Sequence, residues 1–313
     1  SVWFLTDRPE RVVIVGAGAI GAEMAQMFAD FGSQVTVLEG QDRILAEVEP
    51  GIADELTQAL NEHPRLDVHT GVRVSAVSGT AGDMSVSWTQ GEETHSRACD
   101  RVLLATGKRP VLTGLGLDAA GVGTKHGVIV ADARCRTSAA HIFAVGDVIG
   151  GLMLAHTAAQ QGRVAAGTIL GENRTYSQDL DCGVIFTRPQ AGFVGLTLAQ
   201  AKERGLDAAE IKVPLPLDAQ AQIHGETHGQ IKLVADQSSR RIVGVHLLAD
   251  HASDLIGEAV LMVSCGLTLD QVAHAIHPHP TTTELYGDLA RRLLHRILRA
   301  ERRKAERASK ARS

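Results

Sequence analysis

The sequence predicts an α/β protein that finishes in an α+β domain. Three observations carry this expectation. The first third of the chain alternates strand and helix signals. A glycine-rich turn, Gly16-x-Gly18-x-x-Gly21, stands between the first strand and the first helix. From about Asp181 onward, strands cluster between flanking helices.

The elements follow in order. "RVVIVG" is a continuous apolar run ending in glycine and reads as a buried strand. Ala19 to Phe31 has helical spacing, with Ala22, Ala25, Met27 and Phe28 apolar and Gly32 placed to stop the helix. "QVTVLEG" is a second strand, and "DVHTGVRVSAVSG" and "DMSVSWTQGEETHSRACDRVLLATG" read as short strands and hairpins. Between Lys108 and Tyr176, strands are expected at Val128–Val130 and Ile142–Val145, and a helix at Ala155 to Leu170. The last large unit has "VIFT", "FVGL", "AEIKVPLPL", "GQIKLVAD" and "RRIVGVHLL" as strands, with helices at Thr197–Arg204, Ala252–Cys265 and Thr268–Ala275. From Arg291 the pattern is helical and arginine-rich, with a short apolar stripe at Leu293, Leu294, Ile297 and Leu298. That tail reads as a solvated, fraying helix end; the other reading is a weak patch for an anionic partner. The domains expected are 1–107, 108–176, 177–290 and the tail 291–313.

Composition narrows the function classes. The 313 residues are 44% hydrophobic and 21% charged, which is ordinary globular material for two or three domains. A net charge of −5 gives no global call for nucleic acid or a membrane surface, and 3% aromatics are too few for base-stacking platforms. No apolar run is long enough to cross a bilayer. "SVWFLTDRPE" begins at Ser1 and lacks the pattern of a signal peptide. The four cysteines, Cys99, Cys135, Cys182 and Cys265, form no close pair, so neither a zinc site nor a local redox pair is encoded. Buried free thiols in a reducing, cytoplasmic setting are the expectation.

The glycine turn has a physical reading. Gly16 permits the tight turn, Gly18 lets backbone approach a pyrophosphate, and Gly21 lets the helix pack on the strand. The helix N-terminus then offers unpaired N–H groups and a positive dipole end. Glu39 closes the second strand eighteen positions after Gly21. Its carboxylate can accept from ribose hydroxyls and repels a 2′-phosphate, favouring NAD over NADP, with Arg43 nearby as a counterweight. The alternative is a glycine-rich turn with no ligand. Further on, "HIFAVGDVIGG" ends a short apolar stretch in Gly146 and Asp147. An aspartate beyond a strand end can hold a sugar-like hydroxyl, or can serve as a turn or cap residue.

In their order, "GAGAIGAEMA", "VTVLE", "DRVLLATGKRP", "HIFAVGDV", "MLAHTAAQQG", "VIFTRPQAGFVGLT", "RRIVGVHLL" and "HPTTTE" span nearly the whole chain. This order resembles the pyridine nucleotide–disulfide oxidoreductases, a family of flavoproteins. The resemblance implies a Rossmann-like NAD-binding domain, a remnant of an FAD-binding domain and an α+β dimerisation domain. Gly16, Gly18, Ile20, Gly21, Glu23, Glu39, Val74 and Gly107 would line the NAD site. Asp147 would hold the ribityl chain of FAD, with backbone near Ala155 approaching the flavin ring. "VTVLE" and the "DRIL" after it look more like the NAD-using members that oxidise dihydrolipoamide. The family's first glycine-rich turn and its CxxxxC redox pair are not in this sequence.

"AIHPHPTTTEL", residues 275–285, admits two readings. Thr281-x-x-Glu284 fits a capping box at a helix start. The resemblance instead matches His279, Pro280 and Glu284 to the family's HPxxxE element. A base near neutral pH suits dithiol oxidation, and a carboxylate on one ring nitrogen fixes the tautomer and stabilises imidazolium. The family also implies a cis bond at His279–Pro280. His277 is assigned to the turn, and His224 and His228 to a solvated hairpin, since no histidine shows metal-ligand spacing.

The resemblance therefore implies an NAD-linked, FAD-dependent dithiol–disulfide oxidoreductase, most like dihydrolipoamide dehydrogenase, here as part of a longer enzyme. It would act as a homodimer, its His279 serving the partner's dithiol, on a small-molecule or lipoyl-protein substrate and with no nucleic acid or membrane partner. Mercuric reductase is the rival within the class; it usually has tyrosine in place of His279 and ends in vicinal cysteines, which this chain lacks. A non-catalytic NAD-binding dimerisation module is the rival outside it.

Overall fold

The computed structural model describes residues 2–310. It contains two compact units, Ser1–Gly107 with Val184–Ser313, and Lys108–Gly183.

The first unit opens with strand β1 (Arg11–Val15), helix α1 (Ala19–Asp30), strand β2 (Gln34–Leu38), helix α2 (Pro50–Asn61) and strand β3 (Leu66–His69). An antiparallel excursion follows, β4 (Val72–Thr80), β5 (Asp83–Gln90) and β6 (Glu93–Cys99), and the chain then returns as β7 (Arg101–Leu104). The parallel sheet runs β3-β2-β1-β7, with Val13 opposite both Thr36 and Val102. Its strands are apolar runs because both faces are covered. Val12 and Ile14 point into a core with Ala22, Ala25 and Phe28 of α1 and Ile52 and Leu56 of α2, while Val13 packs toward Val86 and Trp88 of the excursion.

In the second unit, β8 (Thr124–Lys125) pairs with β9 (Val128–Ile129), and helix α3 covers Ala155–Ile169. Ile142–Val145 is not the strand expected from its apolar character. Its neighbouring segment is wound around the Asp132 carboxylate, which accepts from the N–H of Arg134 and of Arg136, so only the bridge Arg136–Phe143 forms. A 3-10 turn, Gly146–Ile149, follows at once.

The remaining elements are β10 (Cys182–Ile185), β11 (Gln190–Gly195), α4 (Leu198–Glu203), β12 (Ala208–Pro214), α5 (Ala219–His224), β13 (Gln230–Asp236), β14 (Ile242–Ala249), α6 (Ala252–Ser264), α7 (Leu269–His274) and α8 (Glu284–Lys310). The strands form one sheet in the order β10-β11-β14-β13-β12. Thr197 and Thr268 start α4 and α7 with complete capping boxes. Ile185, Ala191 and Leu248 belong to the same core as the parallel-sheet residues, so the two sheets of this unit share buried apolar contacts. A buried ion pair adds to the join: Lys232 Nζ of β13 lies 2.7 Å from Glu49 Oε1, the cap residue of α2.

Several expectations change. Helices α2 and α5 lie outside them: Glu49 and Asp218 cap these helices with side-chain hydrogen bonds. His224 therefore ends a helix rather than lining a hairpin, and His228 Nε2 is 2.9 Å from Glu62 Oε2. The tail is not a separate element, since α8 begins at Glu284 and runs unbroken through residue 290. Of the tail's apolar stripe, Leu293 and Ile297 are buried against the domain. Only Cys99 and Cys135 are buried; Cys182 is half-buried and Cys265 exposed, because the latter follows the exposed end of α6.

Candidate functional site

The glycine turn is built for two different demands. Gly16 has φ +98°, and a Cβ there would lie 2.5 Å from the Ala105 carbonyl oxygen. A Cβ on Gly21 would collide with the Gly16 carbonyl oxygen. Both glycines are thus required by the chain itself. Gly18 is different: its backbone is extended, and a Cβ built on it meets nothing within 4 Å. Among the described residues none comes near enough to require glycine here, and the space beside Gly18 is open. Helix α1 starts directly behind it with no side-chain cap and no acidic residue in its first turn, leaving N–H groups and the positive dipole end for an anion.

Glu39 stands beside this turn. Its Oε2 accepts from the Ala17 N–H at 2.6 Å and its Oε1 from the Gln41 N–H at 2.8 Å. Each carboxylate oxygen keeps a further lone pair for a hydroxyl donor. Ile20 is half exposed on the first turn of α1, and Gly107 has φ +106° with open space around it, three residues after β7. Val74 lies on β4 next to a bulge, and that strand is tied to the site where the Val72 N–H donates to Glu39 O. Glu23 is committed elsewhere: its Oε1 accepts from the Phe186 N–H at 2.9 Å, bracing α1 against the β10–β11 loop.

In the second unit Asp147 is half exposed on the 3-10 turn, 3.5 Å from Lys108 Nζ, which also donates to Met153 O at 3.0 Å. Ala155 opens α3, whose N-terminus has no side-chain cap. An accessible carboxylate and an uncapped helix start fit the hydroxyl and ring edge of a flavin.

The histidine site lies where the chain enters α8. Nδ1 of His279 is 3.1 Å from both Glu284 Oε1 and Glu284 Oε2. An ionised carboxylate only accepts, so in the neutral imidazole Nδ1 is the nitrogen that carries the proton and Nε2 the one with the lone pair. The His279 side chain is 74% exposed and that of Glu284 25%, so the pair has an anchored end and an open end. The His279–Pro280 bond is cis. The capping box does not form: Glu284 is turned to the histidine, and the Thr281 hydroxyl donates to Pro278 O at 2.7 Å.

His277 is no bystander of the turn. Its Nε2 lies 2.9 Å from Glu258 Oε1, and its side chain is only 10% exposed. Spacing gave no signal, because the partner is nineteen residues upstream on another helix. Burial pushes the thiols of Cys99, Cys135 and Cys182 up from the ordinary range, away from the reactive thiolate. Among the described residues no cluster of His, Cys, Asp and Glu could hold a metal, and no helix is long and apolar enough to cross a membrane.

Comparison with known proteins bears on both sites. The profile of the pyridine nucleotide-disulphide oxidoreductases matches residues 1–162, and that of their dimerisation domain matches residues 182–290. The dihydrolipoyl dehydrogenase of Bacillus subtilis (strain 168) is 35% identical over 289 residues, covering 91% of this chain and 61% of its own length. The mercuric reductase of Bacillus cereus is 34% identical over 286 residues, covering 91% of this chain and 45% of its own. The crystal structure of LpdA from Mycobacterium tuberculosis has a TM-score of 0.86 at 28% identity, over 93% of this chain and 63% of that one. This chain therefore spans under two thirds of the length of each.

Proposed function

The chain belongs to the pyridine nucleotide-disulphide oxidoreductase family, and from that premise we propose that it forms the NAD-binding and dimer-forming part of a dihydrolipoyl dehydrogenase-like enzyme. The observation that carries this reading is the His279–Glu284 pair, with its anchored Nδ1 and open Nε2.

The N–H groups at the start of α1 hold the dinucleotide's pyrophosphate, with Gly18 leaving room for it. Glu39 accepts from the adenosine ribose and, by its charge, disfavours a 2′-phosphate. Ile20, Val74 and Gly107 border the same space. Asp147 and the N-terminus of α3 at Ala155 are the groups that would hold FAD, the carboxylate by accepting from a hydroxyl of its side chain. Bound FAD supplies the two-electron relay between nicotinamide and dithiol.

His279 moves the proton. Its Nε2 lone pair accepts the S–H proton of a dithiol, leaving a thiolate, the form that reacts. Glu284 stabilises the imidazolium so formed and holds the ring in one orientation. The dithiol is a lipoyl group or a similar organic substrate, a reading supported by the likeness to dihydrolipoyl dehydrogenases. In a homodimer, His279 of one copy serves the dithiol bound by the other. A histidine backed by a carboxylate favours an organic dithiol over a mercuric-ion substrate.

Flavin content tests the proposal. The chain purified in the presence of FAD should be yellow and should bleach on addition of NADH under anaerobic conditions. A colourless dimer that binds NADH and leaves added FAD oxidised would instead identify a non-catalytic dinucleotide-binding module.

A further inference from the structure

Two histidine–carboxylate pairs flank one turn, and the mechanism above uses only the exposed one. The second, His277 with Glu258, is the more buried, at 10% and 37% side-chain exposure against 74% for His279. We propose that His277 and Glu258 are positioning residues that set the His279–Glu284 geometry, an inference resting on His279 as the proton acceptor.

Helix α6 offers Leu255 and Glu258 one turn apart, hence on one face. The Tyr286 hydroxyl donates to Leu255 O at 2.9 Å, and Tyr286 is fully buried. Glu258 takes His277 at 2.9 Å. His279 follows His277 by two residues, and Glu284 precedes Tyr286 by two. Each member of the exposed pair is thus two residues from a group fixed to the same face of α6. Between those anchors, residues 278–283 form no helix or strand. Among the described residues their other side-chain hydrogen bonds are local: the Thr281 hydroxyl donates to Pro278 O at 2.7 Å and is 3.1 Å from the Thr283 hydroxyl.

The slot that receives His277 is shaped for it. A Cβ on Gly287 of α8 would come within 3.3 Å of His277 Nδ1 and 3.2 Å of Arg291 Nη1. Arg291 Nη1 in turn donates to Ala273 O at 3.1 Å, tying α8 to the end of α7. The imidazole therefore rests between Glu258 and the bare α8 backbone, and its position fixes where the chain leaves for His279. Outer partners of this kind orient a functional ring without touching what it acts on.

Ring-nitrogen NMR of the 15N-histidine-labelled full chain reads the effect directly, with His279 assigned through H279Q. At a pH where imidazoles are neutral, wild-type His279 carries its proton on Nδ1. E258A should lower that Nδ1–H fraction at least about twofold, as expected of coupled neighbours. E258Q, whose amide oxygen still accepts from His277, should keep the wild-type pattern. G287A, which crowds His277 without removing a charge, should act like E258A and decides the matter if E258A does not fold. A native-like circular dichroism spectrum with an unchanged His279 pattern in both variants overturns the proposal. The signature needs neither cofactor nor substrate. If it responds as described while H279Q spares turnover, the functional reading fails and the positioning stands.

Discussion

Alanine at Gly18 should separate ligand binding from folding. The backbone there is extended, at φ −69° and ψ −173°, which any residue adopts, and the added methyl meets nothing within 4 Å. Folding stability should therefore stay within about 0.5 kcal/mol of wild type, or rise by up to about 1 kcal/mol as the unfolded chain loses glycine's freedom. Neighbouring glycines behave otherwise. G16A combines φ +98° with a Cβ 2.5 Å from Ala105 O, and G21A drives a methyl into the Gly16 carbonyl. Each should cost about 2 kcal/mol or more. Binding follows the reverse order of cleanliness. On the proposed reading a methyl at Gly18 should displace the pyrophosphate from at least one charge-assisted N–H contact, a loss of about 1.5–3 kcal/mol, or about 10- to 150-fold in Kd. Urea denaturation and NADH fluorescence titration of the same samples, at one salt concentration, measure both quantities. Wild-type NADH affinity in G18A, or unfolding of G18A to the extent of G21A, would refute the reasoning.

Two further perturbations follow from the structure. K232M strands the Glu49 carboxylate and should destabilise the chain by about 3 kcal/mol, the low end for a broken buried pair because Glu49 keeps the Ile52 N–H; K232M/E49Q should recover more than half in the same denaturation assay. Burial works to raise the Glu49 carboxyl, but the Lys232 hydrogen bond and charge, together with the Ile52 and Gly51 N–H groups, outweigh it and hold it below the ordinary 4.5. Its stabilisation is thus complete above the unfolded value and lost as pH falls through the folded one. Wild type should lose stability below about pH 4.5 more steeply than K232M/E49Q. H279Q should slow dithiol oxidation about 10²- to 10⁴-fold in the flavin-loaded enzyme while leaving NADH affinity unchanged, by stopped-flow and titration respectively.

What the sequence reveals depends on how local the physics is. The glycine turn is legible because its three glycines fall within six residues, although the carbonyl that Gly16 approaches, that of Ala105, is far along the chain, and Glu39 because it closes the next strand. His279 and Glu284 are five apart and meet across one turn, so their pattern survives in one dimension. Helix α2 hides behind Glu49-Pro50-Gly51, which reads as a turn yet supplies a cap and a first-turn proline. The partners of His277 and Lys232 are 19 and 183 residues away, and no periodicity reports a contact made by folding. Ile142–Val145 has strand character but too few free neighbours to pair with, since Asp132 gathers the adjacent backbone into a loop. Glu284 fits a capping box by spacing alone; the nearby imidazole takes the carboxylate instead.

Which dinucleotide this chain holds tests the proposed nucleotide site most directly. Calorimetric titration of wild type and Glu39→Gln with NADH and NADPH measures it. The structure predicts that wild type binds NADH at least about tenfold more tightly than NADPH, one lost or repelled charge contact, and that Glu39→Gln narrows the gap. Equal or tighter binding of NADPH by the wild-type chain, or no binding of either, would contradict it.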